Sequence, residues 1–522
     1  MAASADRGEQ AAEALEAALE RLGPFGLYQR YTLALLCLPN VLAAMYSLNY
    51  IFVADQVPFR CAVPECEGAA GSEFGSAAVA ALLPAAPCRR YSPLQNLTGG
   101  ACARDQFHPL DTQPCDAFVY ENYDTIYAEF DLACREWLRT LVGTVRNSAL
   151  PLALLLTGYV SDSFGRRTAF CVFGACAGVL GLVKGFSVNY QMYLAMEFLE
   201  AALGYGFNSA AYVMMVELAR PSLRAAFACA TGVAYGAGGV LLAWLAWRVR
   251  YWRRVLWAAH AAALLLPLYW LLLDESWRWL HARGRRQHAA RLVRKAARWN
   301  KVTLDEDVMR KLAADEDPEK AKERRPNPWA ALLRSRVLLA RFAACAWCWV
   351  AAAFVYYGLT INSVSLSGDK YVNFALNMAM EIVASLLLVM ALERFGRKWS
   401  ICGAFLLCGV ACVTPFFVSH GGTMLGMFFV GKLAVTFAFN SLYVYSAELF
   451  PTAARSSALA ACSLVGRLGS ILAPQTPLLS MGVQALLYGA CCALAAAAVA
   501  LVPETRRARL PHDVAAAERL AA

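Results

Sequence analysis

The stretch Gly158–Arg167, GYVSDSFGRR, ends a long apolar run in a tight turn crowded with cations, and Ala391–Lys398, ALERFGRK, does so again. The two copies keep an offset of 231 residues, so that Gly165 answers Gly396, Arg166 answers Arg397 and Arg167 answers Lys398. The same offset relates Glu217 and Arg224 of ELARPSLR to Glu448 and Arg455 of ELFPTAAR. Asp274-Glu275-Ser276 and Pro503-Glu504-Thr505 close the last apolar run of each half at nearly that spacing. Three ordered matches mark a duplicated half, and repeated sets of membrane segments are how many secondary transporters are built.

Composition says where such a repeat sits. Of 522 residues, 59% are hydrophobic and 16% charged, against roughly 25% charged in soluble domains. The net charge of +10 resides in short loops between apolar runs, which is the positive-inside pattern of a membrane protein and argues against a nucleic-acid partner. Twelve spans are expected, at about 31–53, 137–160, 168–187, 190–216, 225–247, 254–273, 337–357, 370–392, 399–418, 422–446, 456–479 and 482–502. Each is close to the ~20 residues that cross ~30 Å of hydrocarbon as helix. The expected fold is an all-α membrane protein of twelve transmembrane helices in two pseudo-symmetric six-helix bundles. The bundles are 31–273 and 337–502, between a 1–30 N-terminal segment, a 274–336 linker and a 503–522 tail. Residues 1–24 are Ala/Glu-rich, read as an amphipathic helix without a signal-peptide pattern. An even number of spans puts both termini on one side together with the basic turns, which makes that side cytoplasmic. One loop disagrees, because Arg248, Arg250, Arg253 and Arg254 fall on the other side.

The polar stretch 54–136 holds six of the 18 cysteines: Cys61, Cys66, Cys88, Cys102, Cys115 and Cys134. An even set in one loop predicts three bridges in an oxidising compartment, with 15 connectivities open. The sequon at Asn96 lies in the same loop and agrees that it is extracellular. The remaining twelve cysteines lie in apolar runs, where a thiol is a small packing group.

The repeated turns suggest a device as well as a fold. Gly165 and Gly396 allow sharp reversal between helices. Arg166, Arg167, Arg224, Arg397, Lys398 and Arg455 can bond helix-end carbonyls and the carboxylates Asp162, Glu217, Glu393 and Glu448. A network made in one state and broken in another would let two bundles rock about a central site. Substrate chemistry has to come from charges inside the spans: Arg146, Glu197, Glu200, His260, Glu381, Lys432 and Arg467. An unpaired charge at a helix centre costs roughly 3 kcal/mol. Glu381 and Arg467 therefore either lock helices by pairing, with each other or with another charge, or face a polar site.

GYVSDSFGRR fits the G-x-x-x-D-x-x-G-R-R signature of the major facilitator superfamily. The chain also resembles its organic cation, anion and carnitine transporters, solute carrier family 22. FDLAC at Phe130, DESWRWL at Asp274, YYGLTINSVSLSGDKYVNF at Tyr356 and AELFPTAAR carry that likeness, as does the Cys-rich first loop. The resemblance implies facilitated or ion-coupled transport of small organic ions across the plasma membrane, with Na+ or H+ as candidate coupling ions. It implies a substrate site of Glu381, Arg467, Tyr356, Tyr357 and Tyr212. Arg467 stands where anion and carnitine carriers keep a base, and Glu381 where cation and carnitine carriers keep an acid. Together they imply a cation or a carnitine-, betaine- or β-alanine-like zwitterion. An anion held by Arg467 alone, or a receptor using the Cys-rich loop without transport, are the alternatives. Asn208 replaces an expected Trp, and Ser163 an expected cation. GMFFVGKL at Gly426 imitates a phosphate loop without its Ser/Thr. No metal spacing, cofactor motif or catalytic constellation appears, so no enzyme is expected.

Overall fold

Gly165 takes φ +109 and Gly396 φ +90, values open to glycine and strained for any side chain. Each ends one long helix and starts the next within a single residue. In this computed structural model the described residues are 13–23, 25–67, 73–76, 79, 83–84, 86–94, 103–218, 224–313, 335–418, 421–451, 455–506 and 514–519. The first half comprises α1 (Leu27–Leu48, continued by Tyr50–Val53), α2 (Glu136–Phe164), α3 (Arg166–Lys184), α4 (Tyr190–Gly204 with Gly206–Leu218), α5 (Arg224–Val249) and α6 (Trp252–Ala261, continued to Leu272). The second comprises α7 (Arg336–Asn362), α8 (Lys370–Phe395), α9 (Arg397–Val413), α10 (Gly421–Leu449), α11 (Arg455–Leu472) and α12 (Met481–Ala500).

Ten of these are long and apolar enough to cross a membrane. The other two are α4, interrupted at Tyr205, and α9, which has 17 residues before a short 3-10 turn. Helices alone satisfy their own backbone in hydrocarbon, which is why the apolar runs all take this form. Most helices begin one to four residues before the expected run, while α3, α9 and α12 end two to five residues short of it. Side-chain caps set some of these starts: Asn189 accepts from Met192 N, Ser335 from Leu338 N, and Asp369 from Tyr371 N and Val372 N.

Each half has its own buried apolar core, one centred on α1–α6 and one on α7–α12. The halves meet where α5 packs on α8 and α2 on α11. At Gly236 a β-carbon would come within 2.7 Å of Ile382 Cγ1, so the missing side chain is what lets α5 and α8 approach. Hydrogen bonds and ion pairs between the halves cluster at the end bearing the Cys-rich insertion. Gln475 Nε2 donates to Thr144 Oγ1 (2.7 Å), Thr140 Oγ1 donates to Gln475 Oε1 (3.2 Å), and Lys370 Nζ pairs with Asp55 (2.5 Å).

The insertion carries two small antiparallel pairs, β1 (Phe59–Cys61) with β4 (Phe118–Tyr120) and β2 (Arg89–Pro93) with β3 (Phe107–Pro114). Disulfides join Cys61 to Cys115 and Cys88 to Cys134, and Cys66 is also disulfide-bonded. Cys102 and Asn96 lie outside the described residues. Of the arginines that broke the charge pattern at 248–254, Arg253 has a local reason. Arg253 pairs with Glu129 of the insertion, which also accepts from Trp252 Nε1 (2.6 Å), and Trp252 N donates to Asp124 O (2.9 Å).

At the opposite end the linker forms helices Trp277–Ala282, Arg286–Asn300 and Glu306–Ala313. The apolar face of Arg286–Asn300 packs against the N-terminal segment. Arg278 pairs with Glu16, Tyr28 Oη donates to Asp274 (3.1 Å), and Ser335 bonds Glu518 near the C terminus. Both termini and the linker thus share one end. Residues 314–334 of the linker and 507–513 of the tail lie outside the described residues.

The Cys88–Cys134 bridge closes a separation of 46 residues, a constraint worth about 4 kcal/mol by loop entropy. Cys88→Ser and Cys134→Ser are each expected to cut the amount of folded protein at the cell surface, and the double variant should be no worse than either single. Surface biotinylation reads this, and an additive loss in the double variant would contradict the pairing.

Candidate functional site

The repeated turns form the same network twice. Glu275 accepts from the backbone of Arg166 (2.9 Å) and Arg167 (3.2 Å), and Glu504 accepts from Arg397 N (2.9 Å) and Lys398 N (3.1 Å). Both carboxylates sit at helix N-termini, where unpaired N–H groups favour negative charge. Arg166 also bonds Glu217 at 3.0 Å, and Arg397 bonds Glu448 at 3.2 Å. Each arginine caps a carbonyl five residues back, Ser161 O and Leu392 O. Asp162 adds a pair with Arg166 at 2.8 Å. Arg167 lies over Trp270, and Lys398 over Trp399. Glu275 and Glu504 were visible as a repeat in the sequence without a role, and here they tie the last helix of each half to its turn. The linker grips the first copy, since Arg278 Nε donates to Glu217 O (2.9 Å) and Trp279 Nε1 to Asp162 O (3.0 Å). Arg455 opens α11. The side chains of Arg224 and Glu393 lie outside the described residues.

Inside the first half four charges close on one another. Arg146 of α2 bonds Glu197 (2.7 Å) and Glu200 (2.8 Å) of α4, and Lys184 of α3 bonds the same two at 2.9 and 2.7 Å. Each side chain is at most 3% exposed. Two cations against two carboxylates sum to zero, which is what hydrocarbon demands of buried charge. Lys184 escapes a sequence reading because it falls at a helix end, where a lysine usually reaches water.

The second half separates the two expected site charges. Glu381 of α8 is 3.1 Å from Lys432 of α10, and both are buried. Lys432 Nζ also donates to Thr360 Oγ1 (2.7 Å) and stands 3.4 Å above the Tyr356 ring. Tyr356, Tyr357 and Glu381 do come together. Tyr357 packs edge-on against Tyr356 at 5.1 Å and lies within electrostatic reach of both Arg467 and Glu381.

Arg467 of α11 is different. Among the described residues no carboxylate pairs with it, and its Nε has no hydrogen-bond partner. Its surroundings are aromatic: the Tyr205 ring at 5.8 Å, with Tyr357 and Tyr443 in electrostatic reach. Tyr212 meets Tyr443 at 6.2 Å, one step nearer the linker end. Tyr205 sits at the break in α4 and Tyr443 on α10, and neither position stands out in sequence among 22 tyrosines. A guanidinium flanked by phenols, facing both halves near mid-helix, can fork onto a carboxylate and cover an alkylammonium with ring faces.

Comparison with known proteins agrees with this architecture. The profile of the sugar (and other) transporter family matches residues 136–512. Solute carrier family 22 member 7 of Sus scrofa is 30% identical, covering 98% of this chain and 97% of its own. The organic cation transporter protein of Drosophila melanogaster is 29% identical, covering 95% and 93%. The solved structure of the proton:xylose symporter XylE bound to 6-bromo-6-deoxy-D-glucose superposes with TM-score 0.62 at 16% identity, covering 94% of this chain and 99% of that one.

Lys432→Met leaves Glu381 buried without a counter-charge, a loss of about 3–5 kcal/mol. Its thermal stability in detergent is expected to fall well below the parent's, and adding Glu381→Gln should restore most of it. A double variant as unstable as the single would mean the two charges do not answer each other.

Proposed function

We propose that this chain, which belongs to the sugar (and other) transporter family and to solute carrier family 22 of the major facilitator superfamily, carries small organic ions whose carboxylate is seated on Arg467. As a member of that family it is a multi-pass membrane protein and a secondary transporter rather than an enzyme. The observation that carries the substrate reading is Arg467: a cation between the halves, ringed by tyrosines, with no carboxylate to answer it among the described residues. Zwitterions of the carnitine, betaine or β-alanine kind fit best. Their ammonium group falls against the faces of Tyr205, Tyr212 and Tyr357, and Glu381 lies beyond. A simple organic anion needs only Arg467. The bundles at 31–273 and 337–502 would rock about this site, with the twin arginine–glutamate turns holding each bundle rigid. A disulfide-bonded loop supports an oxidising exterior, and hence the plasma membrane with both termini in the cytoplasm.

A second reading, transport of an organic cation, is favoured by the name of the Drosophila relative and by Glu381, which would exchange Lys432 for the substrate's ammonium.

Uptake of labelled carnitine, β-alanine, a quaternary ammonium and a dicarboxylate by expressing cells separates these. Arg467→Ala is expected to lower uptake of the carboxylate-bearing substrate about 10- to 100-fold at equal surface amount, the size of one lost charge-assisted bond. Glu381→Gln should reduce zwitterion uptake and spare an anion. Uptake of the quaternary ammonium alone, indifferent to Arg467→Ala, would establish the second reading instead. No uptake of any of them would favour a receptor built on the Cys-rich loop.

A further inference from the structure

His260 of α6 belongs to no part of the site above, yet it borders the four-charge cluster of the first half. Its ring is buried, stacked on Tyr46 at 4.6 Å and 16°, and pressed against α3 at Gly181. Nδ1 lies 2.9 Å from Leu256 O. A carbonyl only accepts, so Nδ1 carries a hydrogen, and Nε2 is the ring atom left to gain or lose a proton. That nitrogen has no hydrogen-bond partner, and Glu200 Oε1 stands 3.7 Å away. Nε2 and a Glu200 carboxylate oxygen thus face each other inside the protein. A proton on Nε2 makes the two an ion pair.

We propose that His260 is the binding site of a coupling proton, taken up on Nε2 and shared with Glu200. The inference rests on the transport reading above. The step is a simple protonation: an N–H bond forms with a proton from one aqueous phase, and it breaks to release the proton to the other.

The groups around the ring make its occupancy consequential. Tyr46 comes from α1, Arg146 from α2, Lys184 from α3, and Tyr193, Glu197 and Glu200 from α4. From α5, no hydrogen bond or ion pair reaches the ring among the described residues. Arg146 and Lys184 against Glu197 and Glu200 sum to zero, and the proton makes the cluster positive. It also draws Glu200 from the two cations that hold it, giving the lock between α2, α3 and α4 a second arrangement. Tyr50 joins this cluster to the substrate chamber. It lies within electrostatic reach of Arg146 and Glu197 on one side and of Tyr357 on the other. Positive charge on His260 therefore favours an anionic group beside Arg467, and by linkage a bound carboxylate favours the proton.

The test uses full-length protein in proteoliposomes, with a carboxylate substrate found by the uptake screen. For the parent, a proton gradient directed inward is expected to raise uptake several-fold, and adding substrate should acidify an entrapped pH dye. His260→Asn keeps an amide donor for Leu256 O and has no basic nitrogen. It should lose gradient-driven uptake and dye acidification while substrate-for-substrate exchange, which moves no net proton, stays measurable. A parent that moves no protons, or a variant that still responds to the gradient, overturns the proposal. If neither protein takes up or exchanges any substrate, the transport reading has failed on its own. The proton site is then read by NMR of 15N-labelled histidine, whose His260 signal is identified by its absence from His260→Asn. That signal should respond to pH, as an imidazole that gains and loses a proton must. An unchanging signal overturns the site.

Discussion

A charge buried in hydrocarbon has to be answered by another, and much of this molecule follows from how it meets that demand. In the first half Arg146, Lys184, Glu197 and Glu200 cancel, binding α2, α3 and α4 into one block. In the second, Glu381 and Lys432 cancel between α8 and α10. Removing one member of such a set strands its partner, which is why the sets act as locks and not as loose attractions. Arg467 stands outside this accounting, held by phenols and not by carboxylates. Among the described residues no carboxylate pairs with it, and the proposed seat for a ligand's carboxylate rests on that.

The same economy appears at the turns. Glu275 and Glu504 each cap a helix start and bring the final helix of their half against it. Arg166 and Arg397 then cross to the fourth helix of each half through Glu217 and Glu448. These bonds lie within a half, whereas Lys370–Asp55 and the Gln475–Thr144 contact join the halves at the insertion end. Polar contacts between the halves gather at one mouth, while α5 on α8 and α2 on α11 meet through side-chain packing. That arrangement suits a rocking motion, because few polar contacts have to part.

The fold was largely legible in the chain because a membrane imposes helices of set length, and because the repeat fixes their order. Twelve apolar runs became twelve helices, and the offset of 231 residues became superposable bonding at the two turns. Pairing across helices was less legible. Arg146, Glu197 and Glu200 stand out in sequence as charges inside spans, but the share that Lys184 takes depends on how α3 ends beside α4. Lys432 and Glu381 stand 51 residues apart, and no pattern along one helix links them. Tyr205 and Tyr443 gain their meaning only from the break in α4 and the tilt of α10. Arg253 looked misplaced because its counter-charge, Glu129, comes from the far end of the insertion.

The neutrality of the two locks has an electrical consequence. A membrane voltage does work on net charge, about 2.3 kcal/mol per elementary charge per 100 mV, and it finds none in the four-charge block or in the Glu381–Lys432 pair. Among the described residues it does find Arg467, with no carboxylate paired to it. Under the proposed seating a simple organic anion cancels that charge, and voltage then acts on the empty carrier alone. A zwitterion's ammonium, or a proton on His260, returns a positive charge to the loaded carrier, and voltage then drives that stroke as well.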